Sequence, residues 1–226
     1  MQLRAALGRV GIWTRQLDGQ HGTIAEKAVG ELEALGYGSV WIPEAVNREV
    51  ISHTTALLAS TTSITIATGI ARVQERTPHA AALAQRFLAD RFPWRFVLGL
   101  GVSHPVVVEG LLGKTFEKPL TMMSAYLDAM DATVGGPPDT ADAPRVLAAY
   151  AASLEGFGFD DDVAGDLSDR LVEALVAIGD VDAVVRRVEE HLAAGADHVC
   201  VEVLTGDDTT VPLDAWRRLA PALTTG

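Results

Sequence analysis

The residues best suited to chemistry stand at the end of one long apolar run. Residues 96–100 continue into Gly101 and finish at Ser103 and His104. A run without polar alternation indicates a strand buried on both faces, with its polar atoms kept for the carboxyl end. Gly99 and Gly101 are two residues apart and therefore face the same side, where a flat ligand could approach the backbone. Glycines that merely relieve crowding in a packed sheet are an equally good interpretation.

Two polar residues at this end, and one on another run, are candidates for catalysis. The Ser103 hydroxyl could hydrogen-bond a cofactor, and His104 could donate a proton because an imidazole titrates near neutral pH. Alternatively, Ser103 is simply the N-cap of a helix that starts at Pro105. Glu44 follows a second apolar run, where a carboxylate could act as general acid or base. A carboxylate that caps the next helix or faces water is an equal alternative for Glu44.

Other reactive residue types favour structural roles. Cys200 is the single cysteine and lies in an apolar run, so we expect a buried core residue and not a nucleophile. We expect His198 in the same run to be a hydrogen-bonded core histidine. No group of residues has the spacing of a metal site. Four cations could serve an anionic cofactor, although we expect solvated surface positions for them: Arg72, Arg76, Lys114 and Lys118.

Composition limits the class of protein. The chain has 226 residues, of which 48% are hydrophobic, and this predicts one domain over residues 1–226. The formal net charge of -12 argues against nucleic acid or an anionic membrane as partner. The sequence shows neither a cleaved secretory signal nor eighteen consecutive apolar residues, so we expect a cytoplasmic protein.

Strand-like runs alternate with helix-like segments along most of the chain. This order indicates parallel strands joined by right-handed crossovers, in a barrel or a doubly wound sheet. Thr23, three residues before Glu26, predicts a capping box at the first of the helices below, and Gly36 predicts its C-terminal cap. The predicted strands are 10–13, 39–44, 63–70, 95–104, 144–149 and 196–203. The predicted helices are 23–35, 51–59, 78–90, 105–112, 120–131, 167–178, 180–191 and 212–223.

Several motifs, in order along almost the whole chain, resemble one family. The chain resembles the luciferase-like monooxygenase superfamily, in particular its oxidoreductases that depend on coenzyme F420, an 8-hydroxy-5-deazaflavin. The motifs that carry the resemblance are Leu35-Gly36-Tyr37, Trp41-Ile42-Pro43-Glu44-Ala45, Ala67-Thr68-Gly69-Ile70, residues 95–104, Tyr126-Leu127-Asp128 and Ala194-Gly195-Ala196-Asp197-His198-Val199.

The resemblance implies an α/β fold of the TIM-barrel type, with a cofactor ring over the carboxyl ends of the strands. It implies a cis peptide between Gly69 and Ile70, and hydride transfer between coenzyme F420 or FMN and a small organic substrate, or monooxygenation with reduced flavin. The catalytic candidates are then Glu44 and His104. The candidates for binding the cofactor are Thr68, Gly69, Ile70, Gly99, Gly101, Val102 and Ser103.

The sequence also departs from the family pattern. Strands six and seven of the usual eight are missing after about residue 149, as if roughly sixty residues had been deleted. The helix N-terminus that would hold a cofactor phosphate goes with them, and Ala45 replaces a histidine of some relatives. We therefore expect an incomplete barrel of about six strands, whose open edge favours a homo-oligomer. Alternatively, the protein is degenerate or non-catalytic and serves as a flavin-binding or oligomeric protein. In that case it could also bind no cofactor at all.

Overall fold

One parallel sheet forms the centre of the computed structural model, which describes residues 2–133, 145–147, 172, 174–207 and 210–225. Its strands are β1 Val10–Trp13, β2 Ser39–Ile42, β3 Thr65–Thr68, β4 Ala71–Arg72, β5 Phe96–Gly101, β6 Arg145–Leu147 and β7 Val199–Val201. The spatial order is β6, β5, β3, β2, β1, β7. Leu100 of β5 pairs with both β4 and β6, so these two lie on opposite edges of β5, and β4 continues the edge that β3 begins.

All six predicted strands are confirmed. The third, predicted over residues 63–70, ends at Thr68 as β3, and the short β4 follows beyond the predicted strand, after residues 69 and 70. No pairing joins β6 to β7 within the described residues, so the sheet does not close there. The incomplete, TIM-barrel-like parallel sheet predicted from the sequence is therefore confirmed. The predicted loss of two strands after residue 149 falls outside the described residues and stays a prediction.

Helices surround the sheet and begin mostly where predicted. They are α1 Gln2–Leu7, α2 Gly22–Ala34, α3 Val50–Ser60, α4 Pro78–Arg91, the π-helix Val106–Leu111, α5 Pro119–Asp131, α6 Val181–Ala193 and α7 Leu213–Leu223. The predicted helix 167–178 lies mainly outside the described residues. Within the described parts of the chain, none of the helices combines the length and apolar character that crossing a membrane requires.

The two faces of the sheet have different neighbours. On the outer face, strand residues such as Ile12, Val40 and Leu98 join helix residues in one large apolar core. On the inner face, Ala67 and Val97 form a smaller cluster with Leu7 of α1, against which Trp41 packs. The sequence had not predicted α1, which is short and is held by this packing. The inner face is where a barrel encloses its side chains.

Helix ends confirm one capping prediction and correct another. Gly36 has φ +86° and ends α2 as predicted. The N-cap of α2 is His21 and not Thr23, and the His21 side chain makes no capping hydrogen bond to the backbone. Instead, His21 Nδ1 lies 3.0 Å from the Thr23 hydroxyl. The capping-box prediction is therefore wrong, because the N-cap lies two residues earlier than predicted and α2 already begins at Gly22.

Candidate functional site

The Gly69–Ile70 segment lies at the carboxyl end of β3, and its peptide bond is cis, as the resemblance implied. Neighbouring strands hold it from several sides. Trp13 Nε1 of β1 donates to the Gly69 carbonyl at 2.7 Å. The Gly69 N–H donates to the Ile42 carbonyl at 2.8 Å, and the Glu44 N–H donates to the Ile70 carbonyl at 2.9 Å. The segment is thus fixed by hydrogen bonds from β1 and from the end of β2.

The glycines of β5 make room for this segment. A Cβ on Gly99 would lie 2.0 Å from the Thr68 carbonyl oxygen, and one on Gly101 would lie 2.7 Å from the Ile70 side chain. The Thr68 hydroxyl donates to the Gly99 carbonyl at 2.7 Å and accepts from the Gly99 N–H at 2.8 Å. The absence of side chains therefore allows close packing between strands, while contact with a cofactor stays a prediction for these residues.

Glu44 is buried and carries an ion pair. Its side chain is 1% exposed and that of its partner Arg76 is 9% exposed. Arg76 Nη1 donates to Glu44 Oε2 at 2.8 Å, Arg76 Nη2 donates to Glu44 Oε1, and the Arg72 N–H donates to Oε2 at 2.7 Å. Burial alone would lower the pKa of Arg76, but the hydrogen bond and negative charge of Glu44 raise it. The pair joins the end of β2 to the segment that follows β4.

The sequence predicted that the two nearby arginines, Arg72 and Arg76, are solvated surface residues, but the structure shows otherwise. Arg72 is buried and forms an ion pair with Glu75. Arg76 also donates to the Arg72 carbonyl at 2.9 Å and to Glu49 Oε1 at 3.2 Å. Their guanidinium groups are therefore used within the protein, and the surface expectation is wrong for both.

Residues 102–104 continue from β5 at the same edge of the sheet. Ser103 is half-buried with φ +59°, and His104 is exposed. Neither side chain has a hydrogen-bond partner among the described residues. The helical segment that follows has Pro105 as its N-cap and no capping side chain, so the capping alternative for Ser103 is wrong. The Val102 carbonyl accepts from Gln74 Nε2 at 2.7 Å. Ser103 and His104 thus offer polar atoms to a ligand.

A cleft of about 750 Å³ opens beside this edge, between the start of α4 and α5. Its lining includes Phe116, Lys118, Met122 and Tyr126, and does not include the predicted site residues. The Tyr126 hydroxyl donates to the Arg76 carbonyl at 3.1 Å, and burial raises the pKa of Tyr126 to about 12. Tyr126 therefore links the cleft wall to the segment that carries Arg76.

Three residues of this region were missed as contributors by the sequence reasoning. Trp13 and Trp41 flank Gly69, at 3.0 Å and 3.4 Å from a Cβ built there, and Arg76 holds Glu44. An aromatic residue at the carboxyl end of a strand was the available signal for Trp13. Elsewhere, Cys200 is exposed, which corrects the expectation of a buried core thiol. No three His, Cys, Asp or Glu side chains in the described ranges are grouped closely enough to hold a metal ion.

Comparison with known proteins agrees with this architecture. The model of the family described as luciferase-like monooxygenase matches residues 13–147. A putative coenzyme F420-dependent oxidoreductase of Mycobacterium tuberculosis is 32% identical over 120 residues, which cover 53% of this chain and 33% of the relative. The chain thus spans about a third of the length of that curated relative.

Solved structures show the same fold at low identity. The coenzyme F420 dependent tetrahydromethanopterin reductase of Methanopyrus kandleri has a TM-score of 0.73 at 14% identity, covering 95% of this chain and 98% of that chain. The FMN complex of the oxygenating constituent of 3,6-diketocamphane monooxygenase from Pseudomonas putida has a TM-score of 0.64 at 12% identity, covering 96% and 98%. Because the family model spans more than half of the sequence, the chain belongs to the luciferase-like monooxygenase family.

Proposed function

We propose that the protein is an oxidoreductase that holds the ring of coenzyme F420, or of FMN, over the carboxyl ends of β3, β4 and β5. It transfers a hydride between that ring and a small organic substrate. The observation that carries the proposal is the pair of unpartnered polar side chains, Ser103 and His104, at the sheet edge where the Gly69–Ile70 segment is held. Membership of the family and the F420-dependent relative support it.

The residues at this edge suit a flat ring better than a charged tail. The half-buried indoles of Trp13 and Trp41 and the Ile70 side chain provide apolar surroundings, and the Ser103 hydroxyl provides a hydrogen-bonding group. In contrast, Arg72 and Arg76 are already paired with carboxylates. The predicted loss of the phosphate-binding segment concerns residues that the structure does not describe.

In the proposed mechanism, the bound cofactor supplies or accepts the hydride, which is chemistry that no side chain provides. Ser103 orients the ring by a hydrogen bond. His104 gives a proton to the substrate oxygen when its carbon is reduced, and takes one when it is oxidised. The buried Glu44–Arg76 pair keeps the end of β2 and the segment after β4 in place. This arrangement favours a positioning role for Glu44, whose action as acid or base stays a prediction.

A second candidate function is supported by the engaged arginines. Because Arg72 and Arg76 are paired with carboxylates, neither guanidinium group is available to hold a cofactor phosphate. The second candidate is therefore a non-catalytic protein, which either holds only a flavin ring or binds no cofactor and acts as an oligomer. The open edge of the sheet favours a homo-oligomer as part of either proposal.

Fluorescence anisotropy of oxidised coenzyme F420, and separately of FMN, titrated with the purified protein tests the proposal. We expect saturable micromolar binding of one of them. Ser103→Ala should weaken it roughly three- to tenfold, the worth of one hydrogen bond. The matched control is His191→Gln, a change of an exposed histidine on α6, which should leave binding unchanged. If a cooperatively folded sample binds neither compound, the proposed function is refuted, and the non-catalytic oligomer without a cofactor replaces it.

A further inference from the structure

A second group of polar side chains lies on the inner face of the sheet. His198, just before β7, and Cys200, within β7, project to this face beside Ser39 and Trp41 of β2. The Cys200 Sγ atom lies 3.3 Å from His198 Nε2. The Ser39 hydroxyl is 3.2 Å and Trp41 Nε1 is 3.3 Å from the same nitrogen. The thiol is exposed to solvent, because β7 is the last strand on this side of the described sheet.

The imidazole of His198 is held in one orientation. Its Nδ1 lies 2.8 Å from the Gly8 carbonyl oxygen, and since a carbonyl can only accept, Nδ1 carries the proton. The lone pair of a neutral ring is therefore on Nε2, the nitrogen that the Cys200 thiol, the Ser39 hydroxyl and the Trp41 N–H all approach. Gly11 of β1 leaves the space for this ring, because a Cβ at Gly11 would lie 2.9 Å from the imidazole. Trp41 stacks on it with centroids 6.0 Å apart.

We propose that Cys200 Sγ and His198 Nε2 together bind one zinc ion or a similar soft divalent transition-metal cation, with water completing the coordination. Zinc takes thiolate at about 2.3 Å and imidazole at about 2.0 Å, so tetrahedral ligands of these two kinds are about 3.5 Å apart. The observed separation of 3.3 Å needs only a small adjustment. A histidine that donates its other N–H to a backbone carbonyl is the usual arrangement around a metal.

Metal binding replaces the thiol proton, because a bound metal deprotonates a coordinating thiol directly. The hydrogen bonds around the ring allow this change. When the metal takes the Nε2 lone pair, the Trp41 N–H keeps a partner in the Ser39 hydroxyl at 3.1 Å.

Anaerobic titration of the reduced full chain with Co²⁺ tests the proposal. Because the chain has one cysteine, a thiolate-to-cobalt charge-transfer band reports on Cys200 alone. We expect the band to saturate at one Co²⁺ per chain and to disappear when Zn²⁺ is added. Cys200→Ser should abolish the band, and His198→Gln should weaken binding by about tenfold or more. The control His191→Gln, which removes an exposed histidine elsewhere, should bind normally.

A second measurement needs no variant. Zn²⁺ should slow the reaction of Cys200 with 5,5′-dithiobis-(2-nitrobenzoate) in the wild-type chain by about tenfold or more, because a coordinated thiolate is withdrawn from disulfide exchange. Absence of both the cobalt band and zinc protection at millimolar metal overturns the proposal. A band of unchanged affinity in a folded His198→Gln variant also overturns it, because the imidazole would then not be a ligand. Neither result depends on the binding of coenzyme F420 or FMN.

Discussion

Replacing Arg76 by methionine should strongly destabilise the protein. Methionine keeps much of the side chain's apolar length but leaves the Glu44 carboxylate, 1% exposed, without its counter-charge. Removing one partner of a buried ion pair costs about 3–5 kcal/mol. The variant also loses the 2.9 Å hydrogen bond to the Arg72 carbonyl, so the upper part of this range is expected. The free energy of unfolding in guanidinium, followed by far-UV circular dichroism, measures the loss.

Two comparisons make this prediction specific. Arg217 forms an exposed ion pair with Glu31, with Nη2 at 3.0 Å from Oε2 and an arginine side chain that is 49% exposed. Arg217→Met should therefore cost far less than Arg76→Met, because an ion pair in contact with water contributes little to stability. The double variant Glu44→Gln/Arg76→Met removes both charges of this pair, so it should be about 2 kcal/mol more stable than the sum of the single losses predicts. Equal losses for Arg76→Met and Arg217→Met, or strict additivity, would refute the reasoning.

Two further predictions concern stability. Burial, and secondarily the charge of Arg48, lower the pKa of His53 from 6.5 to about 4. The stability that comes from keeping His53 neutral is complete above pH 6.5 and is lost as pH falls toward 4. In denaturant titrations over that window, the wild type should therefore lose up to about 3 kcal/mol of unfolding free energy relative to His53→Gln. Parallel pH profiles of the two proteins would contradict this. Gly99→Ala should cost about 3 kcal/mol or more, since its Cβ would meet the Thr68 carbonyl at 2.0 Å. Gly110→Ala should be nearly neutral, because nothing lies within 4 Å of the new atom. Thermal melts of the two variants check this, and equal melting temperatures for Gly99→Ala and Gly110→Ala would exclude steric crowding at Gly99.

The strands could be predicted from sequence because each is a short, nearly continuous apolar run between turn residues. That pattern follows from burial on both faces of a parallel sheet and depends little on which strands become neighbours. The break within residues 63–70 was different. Only the family resemblance located it at Gly69 and Ile70, because the run of alternating threonine and isoleucine before it reads as ordinary strand.

The predictions that were wrong concern residues whose surroundings depend on distant parts of the chain or on where an element begins. A basic side chain such as Arg76 carries no local sign that Glu44, 32 positions earlier, will bury it. Cys200 was expected to be buried because its neighbours are apolar, yet the sequence could not show that β7 would end the described sheet on that side. Thr23 had the right capping spacing, but the N-cap of α2 is His21, two residues earlier. These outcomes depend on tertiary contacts that no local pattern encodes.

The pairing of β1 with β7 has a consequence for the order of folding. Val10 pairs with Val199, whereas β1 with β2, β2 with β3 and β3 with β5 join partners about thirty residues apart or fewer. During synthesis, the first five strands can therefore assemble as they leave the ribosome. One edge of β1, however, stays unpaired until β7 has been synthesised. Closing so long a loop costs the most entropy. The amides of β7 should then be the first in the sheet to exchange with deuterium, well before those of β2 and β3.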